Sequence, residues 1–570
     1  MRRLLLLSAL LFLAFSTQAQ DGKYWIQFTD KNGSPYSIST PTQYLSARAI
    51  ARRAKFSIPI QFNDLPPNPN YIDSVISKGV QLLNRSGWFN AISIYAADTT
   101  KLAAIRKLPF VKSGRLVNIM VKPKKNAGKY KAPHDKYANT HQPEKIDSID
   151  YGNSYNQVHQ IKVDCLNNMG FRGKGMRIAV IDTRFGRVDS LPAFDTLRTR
   201  GQILGTWDFV WEIPWVFDTT TVYDANSTMP SYRDVHGQEV LSCIAGNLPT
   251  QLMGDAMDAD FYLLRTEDAY SEHMIEVDNW ASAAEYADSA GANIITSSLG
   301  YNIFDEGFDS FTYADMNGRT SVASMAATIA SEKGMVVCVA AGNEACGNPS
   351  SCWQYITSPG DADSILTVGA VDPSGAYASF SSTGPTPDKR IKPDVVAQGE
   401  GDALAYIGGG VTFGSGTSFA TPLTAGAVAS LWQTDTNASN FKIMDAIKQS
   451  ASQYTHPDSL LGYGIPDYCL ARSILLGIEN NQPVSSLVKS YPDPFTDQIT
   501  LTFFSSIKQN LNVSLYNSIG QMVYHSGYVV ASGGNTLVTL KGLQDLSSGL
   551  YFVVMTDQLG MTFTSKAMKQ

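Results

Sequence analysis

A parallel β-sheet covered by helices on both faces is the fold predicted for the middle of this chain. A small α+β unit precedes it and a β-sandwich follows it. From Tyr151 to Leu476, strand-like runs alternate with helix-like runs, the pattern of repeated β-α-β units. The strand-like runs are apolar at consecutive positions, as in Ile178-Ala179-Val180-Ile181 and Met335-Val336-Val337-Cys338-Val339, which suits strands buried on both sides. Beyond Ser490 the period changes to two, the signature of strands with one wet face.

The chain has 570 residues, enough for two to four domains, with 44% hydrophobic and 17% charged residues, which places it among globular proteins. Its formal net charge of -6 gives no basic field for nucleic acid. Met1 to Ala19 carries Arg2 and Arg3, an apolar run from Leu4 to Phe15, and Ser16-Thr17-Gln18-Ala19, which reads as a secretory signal peptide cut after Ala19. No later stretch reaches the roughly 20 apolar residues of a membrane span, so no transmembrane segment is expected. Export permits disulfides. Cys346 and Cys352 flank a short polar loop that a bridge would pin, though spacing alone leaves the pairing open. Cys243 and Cys338 lie in apolar runs and read as buried small hydrophobes.

Residues 20–121 form the α+β unit. Strands are expected at Tyr24 to Phe28, Val80 to Leu83, Ala91 to Ala97 and Val111 to Ile119, and helices at Gln43 to Lys55, Tyr71 to Lys78 and Thr100 to Leu108. In the first helix, Leu45, Ala49 and Ile50 mark the apolar side. Residues 122–150 are a linker, with Lys122, Lys124, Lys125, Lys129, Lys131 and Lys136 set among Pro123, Gly128 and Pro133. Residues 151–477 make the sheet domain, with strands at Arg177 to Ile181, Asp260 to Arg265, Ala292 to Thr296 and Met335 to Ala340. Its helices are expected at Glu239 to Ala245, Val277 to Ala290 and Val322 to Lys333. Active groups in such sheets lie beyond the strand C-termini.

Four residues stand at such places. Asp182 ends its strand, where a carboxylate can accept an imidazole N–H and fix its tautomer. His236 opens a helix, and no other histidine has a comparable strand-end or helix-start context. Asn343 follows Ala340-Ala341-Gly342, and its amide can donate to a developing oxyanion. Ser418 lies in Gly414-Ser415-Gly416-Thr417-Ser418-Phe419-Ala420-Thr421-Pro422, a small-residue turn that runs into an Ala- and Leu-rich helix. Pro422 is expected in the first turn of that helix, where no intrahelical N–H is lost. The hydroxyl of Ser418 would sit beside unsatisfied N–H groups and the positive end of the helix dipole.

Gly416 to Pro422 resembles the nucleophile motif of the subtilisin-like serine peptidases at every fixed position, and Asp182, His236, Asn343 and Ser418 follow the family's order. The resemblance implies a subtilisin-like fold and a secreted serine endopeptidase. Ser418 would be nucleophile, His236 base, Asp182 its orienting partner and Asn343 an oxyanion donor. It further implies that Ser298, Leu299 and Gly300 pair with an extended substrate and that Ala340, Ala341 and Gly342 form the opposite wall of the specificity pocket. Ala378 to Ser382, Lys392 to Ala397 and Leu461 to Pro466 are similar to the family's structural signatures. Residues 20–121 resemble its inhibitory propeptides, which makes the chain's own propeptide a partner alongside protein or peptide substrates.

No redox or nucleotide cofactor is implied. Calcium is left open, with no ligands assigned. Three positions depart from the family pattern: Arg184 stands where Gly is common, and Gln238-Glu239 replace Thr-His after the base. Arg184 would lower the basicity of His236 and Glu239 would raise it. These charges leave a second reading, a catalytically silent surface protein used for binding or adhesion.

Residues 478–490 read as a linker. Residues 491–570 show strands at Ile499 to Phe503, Leu511 to Tyr516, Thr536 to Leu540 and in Leu546 to Val554, giving the β-sandwich. Tyr491-Pro492-Asp493-Pro494-Phe495 and the tail Ser565-Lys566-Ala567-Met568-Lys569 resemble the sorting domain of type IX secretion in Bacteroidetes. That implies the type IX machinery as a partner and a secreted or cell-surface location.

Overall fold

The computed structural model describes residues 21–119, 149–217, 235–268, 271–346, 352–477, 489–505, 509–530, 534–556 and 562–570. The expected signal peptide, nearly all of the basic linker and most of the linker at 478–490 lie outside these residues.

The N-terminal unit is a four-stranded antiparallel sheet in the order β2-β3-β1-β4, from β1 (Gly22–Phe28), β2 (Gln81–Ser86), β3 (Ala91–Ala96) and β4 (Val111–Ile119). Alternation in β1 sends Tyr24, Ile26 and Phe28 to one face. There they pack with Ile72 and Val75 of α2 (Pro69–Ile76) and Leu102 and Ile105 of α3 (Thr100–Arg106). Trp25 points the other way and meets Ile275 of the central domain. The remaining helix, α1 (Ala47–Lys55), departs from its expected apolar side: the residues it buries are Ala49, Arg52 and Arg53, and Ile50 is only half-buried.

After α4 (Tyr155–Gln160) and α5 (Val163–Asn168), the central domain is a seven-stranded sheet with every neighbouring pair parallel. Its strands are β5 (Arg177–Asp182), β6 (Ile203–Asp208), β9 (Asp260–Arg265), β10 (Ile294–Ser297), β11 (Val336–Ala340), β12 (Leu366–Val371) and β13 (Val395–Gln398), in the order β13-β12-β11-β10-β5-β9-β6. Between them lie α6 (Asp195–Thr199) and a small hairpin, β7 (Asn247–Leu248) with β8 (Leu252–Met253).

The consecutive apolar residues divide between two cores, as strands buried on both faces require. Ile178, Val180, Leu263, Ile294 and Val336 face α7 (His236–Ala245) and α10 (Thr417–Thr434). Ala179, Ile181, Leu264, Ile295 and Val337 face α8 (Met274–Ala290) and α9 (Val322–Glu332). The hairpin β14 (Asp402–Ala405) and β15 (Val411–Gly414) leads into α10, and α11 (Asn440–Ser450) and α12 (Tyr468–Leu475) complete the domain.

Helix α10 is buried from Thr417 to Trp432 around its whole circumference, which accounts for a sequence with no polar face. Pro422 is its sixth residue, inside the helix rather than in the first turn. A proline there frees the carbonyl four residues earlier. That carbonyl belongs to Ser418, and the Ser298 hydroxyl donates to it at 2.8 Å.

Cys346 and Cys352 are bridged, and so are Cys165 of α5 and Cys469 of α12, a pair the sequence did not single out. Cys243 and Cys338 are free and buried.

The C-terminal unit has two sheets. One is β16 (Lys489–Tyr491), β17 (Gln498–Ser505) and β20 (Gly534–Lys541) in the order β16-β17-β20. The other is β18 (Gln509–Asn517), β19 (Met522–Val530), β21 (Gly549–Thr556) and β22 (Thr562–Lys569) in the order β19-β18-β21-β22. Ile499, Leu501, Leu540, Leu511, Val513, Leu515, Val553 and Met555 form its shared core. No helix among the described residues is long and apolar enough to cross a membrane.

Candidate active site

Because β5, β10 and β11 are parallel neighbours, their C-termini share one edge of the sheet. Asp182 is the last residue of β5, Ser298 to Gly300 follow β10, and Asn343 follows β11 by three residues. His236 is the first residue of α7, and Ser418 is the second of α10.

Asp182 is fully buried, and its Oδ1 lies 2.6 Å from His236 Nδ1 and accepts the Thr183 N–H at 2.8 Å. The approach of α7 to β5 is close: a Cβ on Gly237 would stand 2.9 Å from the Arg184 carbonyl and 3.3 Å from Asp182 Cβ. Glycine after the histidine is therefore a steric requirement. The Thr183 hydroxyl accepts the Gly237 N–H at 3.3 Å and ties the helix start to the strand end. On its other side His236 meets Phe419, with ring centroids 6.1 Å apart, so the imidazole lies beside the start of α10.

Ser418 is buried, and its hydroxyl makes a long contact of 3.5 Å with the Ser298 carbonyl. Asn343 is exposed. Its Oδ1 accepts from the Thr417 N–H at 2.8 Å and the Thr417 hydroxyl at 2.9 Å, and a backbone donor there identifies the oxygen. The amide nitrogen is thereby left to donate elsewhere. The place a Cβ on Gly416 would occupy lies 3.5 Å from Asn343 Nδ2 and 3.6 Å from Ser418 N. Two N–H donors thus border one small space next to the Ser418 side chain.

Gly342 has φ of +111°, a conformation that side-chain-bearing residues rarely adopt. A Cβ on Gly342 would be 3.0 Å from Thr357 Oγ1, and one on Gly300 only 2.3 Å from it. The buried Thr357 side chain therefore fills the gap between the segment after β10 and the segment after β11, a role for which its local sequence gives no signal.

Glu239 is buried one turn beyond His236, and burial raises its carboxyl to about 7, with His236 pulling it down and Asp182 pushing it up. Arg184 is half-buried. It lines a cavity of about 500 Å³ with Trp211, Trp215, Asp208 and Arg265, and the last two are paired at 2.7 Å. Among the described residues Glu267, Glu272 and Glu276 bring carboxylate oxygens within 4.8 Å of one another. Glu267 accepts from the Tyr301 hydroxyl at 2.6 Å, and Glu276 accepts the Asp268 N–H at 2.9 Å and the N–H of His273, the N-cap of α8, at 2.8 Å.

A model described as the subtilase family, peptidase S8, matches residues 173–464, half of the chain. The chain belongs to the subtilase family. Residues 23–135 of this subtilase match the peptidase S8 propeptide domain of Bacteroidota, and residues 489–570 match a secretion system C-terminal sorting domain. Subtilisin amylosacchariticus of Bacillus subtilis subsp. amylosacchariticus is 28% identical over 307 residues, covering 54% of this chain and 66% of that protein. The chain thus spans just under two thirds of that relative. Serine protease AprX of Bacillus subtilis (strain 168) is 34% identical over 146 residues, 22% of this chain and 32% of that one. The solved structure of the prenylagaramide maturation protease PagA aligns at 23% identity with a TM-score of 0.41, covering 55% of this chain and 98% of that one. The sorting domain marks the subtilase as secreted or attached at the outer membrane.

Proposed function

We propose that this subtilase is a secreted serine endopeptidase. The Ser418 hydroxyl attacks the scissile carbonyl, His236 takes its proton and returns it to the leaving amine, and Asp182 holds the tautomer and stabilises the imidazolium. The observation that carries the reading is the 2.6 Å contact of Asp182 with His236 Nδ1, which leaves the other ring nitrogen to act as the base beside the start of α10. Asn343 Nδ2 and the Ser418 N–H receive the oxyanion. Removing such an amide costs about 100- to 1,000-fold in kcat, a magnitude measured in subtilisin itself and not obtained from this chain.

Ser298, Leu299 and Gly300 line one side of the substrate channel, and Ala340, Ala341 and Gly342 line the other. Backbone pairing along the first would bind protein or peptide substrates with little demand on side chains. The proposed steps run on the chain's own residues and call for no redox or nucleotide cofactor. We assign residues 1–19 to a signal peptide, 20–121 to an inhibitory prosegment, 122–150 to the linker cut on maturation, 151–477 to the catalytic domain and 491–570 to the sorting domain read by type IX machinery.

A fluorophosphonate probe tests the reading. Covalent labelling of the matured protein at Ser418, lost in Ser418→Ala together with hydrolysis, is expected. An unlabelled protein after prosegment removal would instead support the silent binding protein.

A further inference from the structure

The arginines buried by α1 lie at the edge of the sheet remote from the site. Arg48 donates to the Gly175 carbonyl at 2.5 Å, the Gly291 carbonyl at 3.2 Å and Asn293 Oδ1 at 2.7 Å. Gly175 and Asn293 precede β5 and β10, so these contacts mark the N-terminal edge of the strands whose other ends carry Asp182 and Ser298. At about 3.3 Å per residue, β5 separates the two edges by roughly 15–20 Å.

Helices that cross over between parallel strands run opposite to them, which puts the C-termini of α8 and α9 at this remote edge. A helix C-terminus exposes carbonyls with no intrahelical donor and carries the negative end of the dipole. Arg52 answers these groups: Nε donates to the Lys333 carbonyl at 3.1 Å, and its terminal nitrogens reach the Ala292 carbonyl, the Asp288 carbonyl at 3.3 Å and the Asp288 carboxylate. Arg53 bridges Asp288 at 2.6 Å and Asp64 at 2.8 Å, and Lys333 reaches Asp64 at 3.1 Å. The backbone of Ser46 adds a bond to the Ser289 carbonyl at 2.9 Å. All five charged groups are buried, with Arg53 only 1% exposed. The planar fork of arginine suits this set of carbonyls and carboxylate in a way that a lysine does not.

We propose that the C-terminal ends of α8 and α9 form an arginine-reading surface, that α1 of the prosegment is its occupant, and that this remote anchor governs how long a cut prosegment stays bound. The inference rests on the prosegment reading of residues 20–121. Cutting the linker severs the covalent tie of the prosegment and leaves every α1 contact intact. Asp288, Lys333 and the carbonyls belong to the mature domain, so the surface persists after release and can be filled again.

The test uses the full chain carrying Ser418→Ala and a specific protease site inserted in the linker. After cleavage and dilution, retention of the N-terminal fragment is followed over time by size exclusion. The parent fragment is expected to remain bound, and the Arg52→Ala/Arg53→Ala fragment to leave at least tenfold faster. Asn118→Ala removes a contact nearer the cleft, the 3.0 Å bond to His273, and is expected to change the rate less than threefold. Release of the double variant at the parent rate, or an equal acceleration by Asn118→Ala, overturns the proposal. If the double variant does not fold, Arg48→Ala carries the test. It removes the half-buried end of the anchor and leaves the ion pairs in place, so a threefold acceleration is expected and an unchanged rate overturns the proposal. The readout is release, not hydrolysis, so a negative result is distinct from failure of probe labelling at Ser418.

Discussion

Glu239 and Thr357 are the residues through which this subtilase sets its own version of the site. The Glu239 carboxyl is raised from 4.5 to about 7, chiefly by burial. A carboxyl shifted upward on folding contributes fully below pH 4.5, and its contribution is lost as pH rises through 7. In the Ser418→Ala chain, Glu239→Gln should therefore match the parent's stability near pH 4.5 and exceed it above pH 7, on the order of 3 kcal/mol, in thermal unfolding at the two pH values. On the proposed mechanism an ionised Glu239 favours the imidazolium. The same substitution should move the acidic limb of the kcat/KM profile to lower pH, and an unmoved limb would show that the carboxyl does not act on His236.

Thr357 leaves little depth between the two walls, so peptides with a small residue before the cut should be preferred. Thr357→Gly should raise kcat/KM for an aromatic residue there by about tenfold or more, the scale of a few methylene groups in an apolar pocket. The places of Asp182 at a strand end, of His236 and Ser418 at helix starts and of Asn343 just past a strand were legible in the sequence from their local patterns. Thr357 was not, because its place comes from a separate loop brought against two glycines.

Among the elements, α10 shows how a local rule is overridden by packing. Proline was expected in the first turn because an interior proline strands a carbonyl. Here the stranded carbonyl is that of Ser418, and Ser298 supplies the missing donor. The segment after β10, one wall of the proposed substrate channel, is thus fastened to the backbone of the proposed nucleophile. Ser298→Ala should leave a buried carbonyl unsatisfied, cost about 1–3 kcal/mol in thermal unfolding, and lower kcat more than it raises KM.

Strands β5, β9, β10 and β11 and helices α7, α8 and α9 were legible to within a few residues because a doubly covered sheet repeats the same apolar run, whereas β6, β12 and β13 went unread. Helix α1 was legible as a helix but not in its buried face, since arginines read as solvated until carbonyls and carboxylates are set against them. In the tail, β16, β19 and β22 went unread: β16 fell largely in the stretch read as a linker, and β22 in the stretch read as the closing tail of the sorting domain.

At the scale of the whole molecule, the tail has its own core and its own sheets, and the N-terminal unit shares ion pairs and apolar contacts with the catalytic domain. The length of the chain pointed to several domains, yet the covalent tie across the largest of them could not be read. Cys165 and Cys469 are 304 positions apart, and only the packing of α5 against α12 makes them neighbours. Cys346 and Cys352 are 6 apart, so the short loop itself suggested the pair. The same difference in span predicts different contributions to stability. In the chain-entropy account a bridge stabilises by restricting the unfolded chain, by about 2–3 kcal/mol for the short loop and about 5–6 for the long one, both upper bounds. Cys165→Ala/Cys469→Ala should therefore lower the Tm of the Ser418→Ala chain on the order of 10 °C, and Cys346→Ala/Cys352→Ala by only a few degrees. Reductant, which opens both bridges, should bring the parent a few degrees below the first variant and lower that variant by the same few degrees. Equal losses from the two pairs would mean that local strain, and not the length of chain enclosed, decides what each bridge contributes.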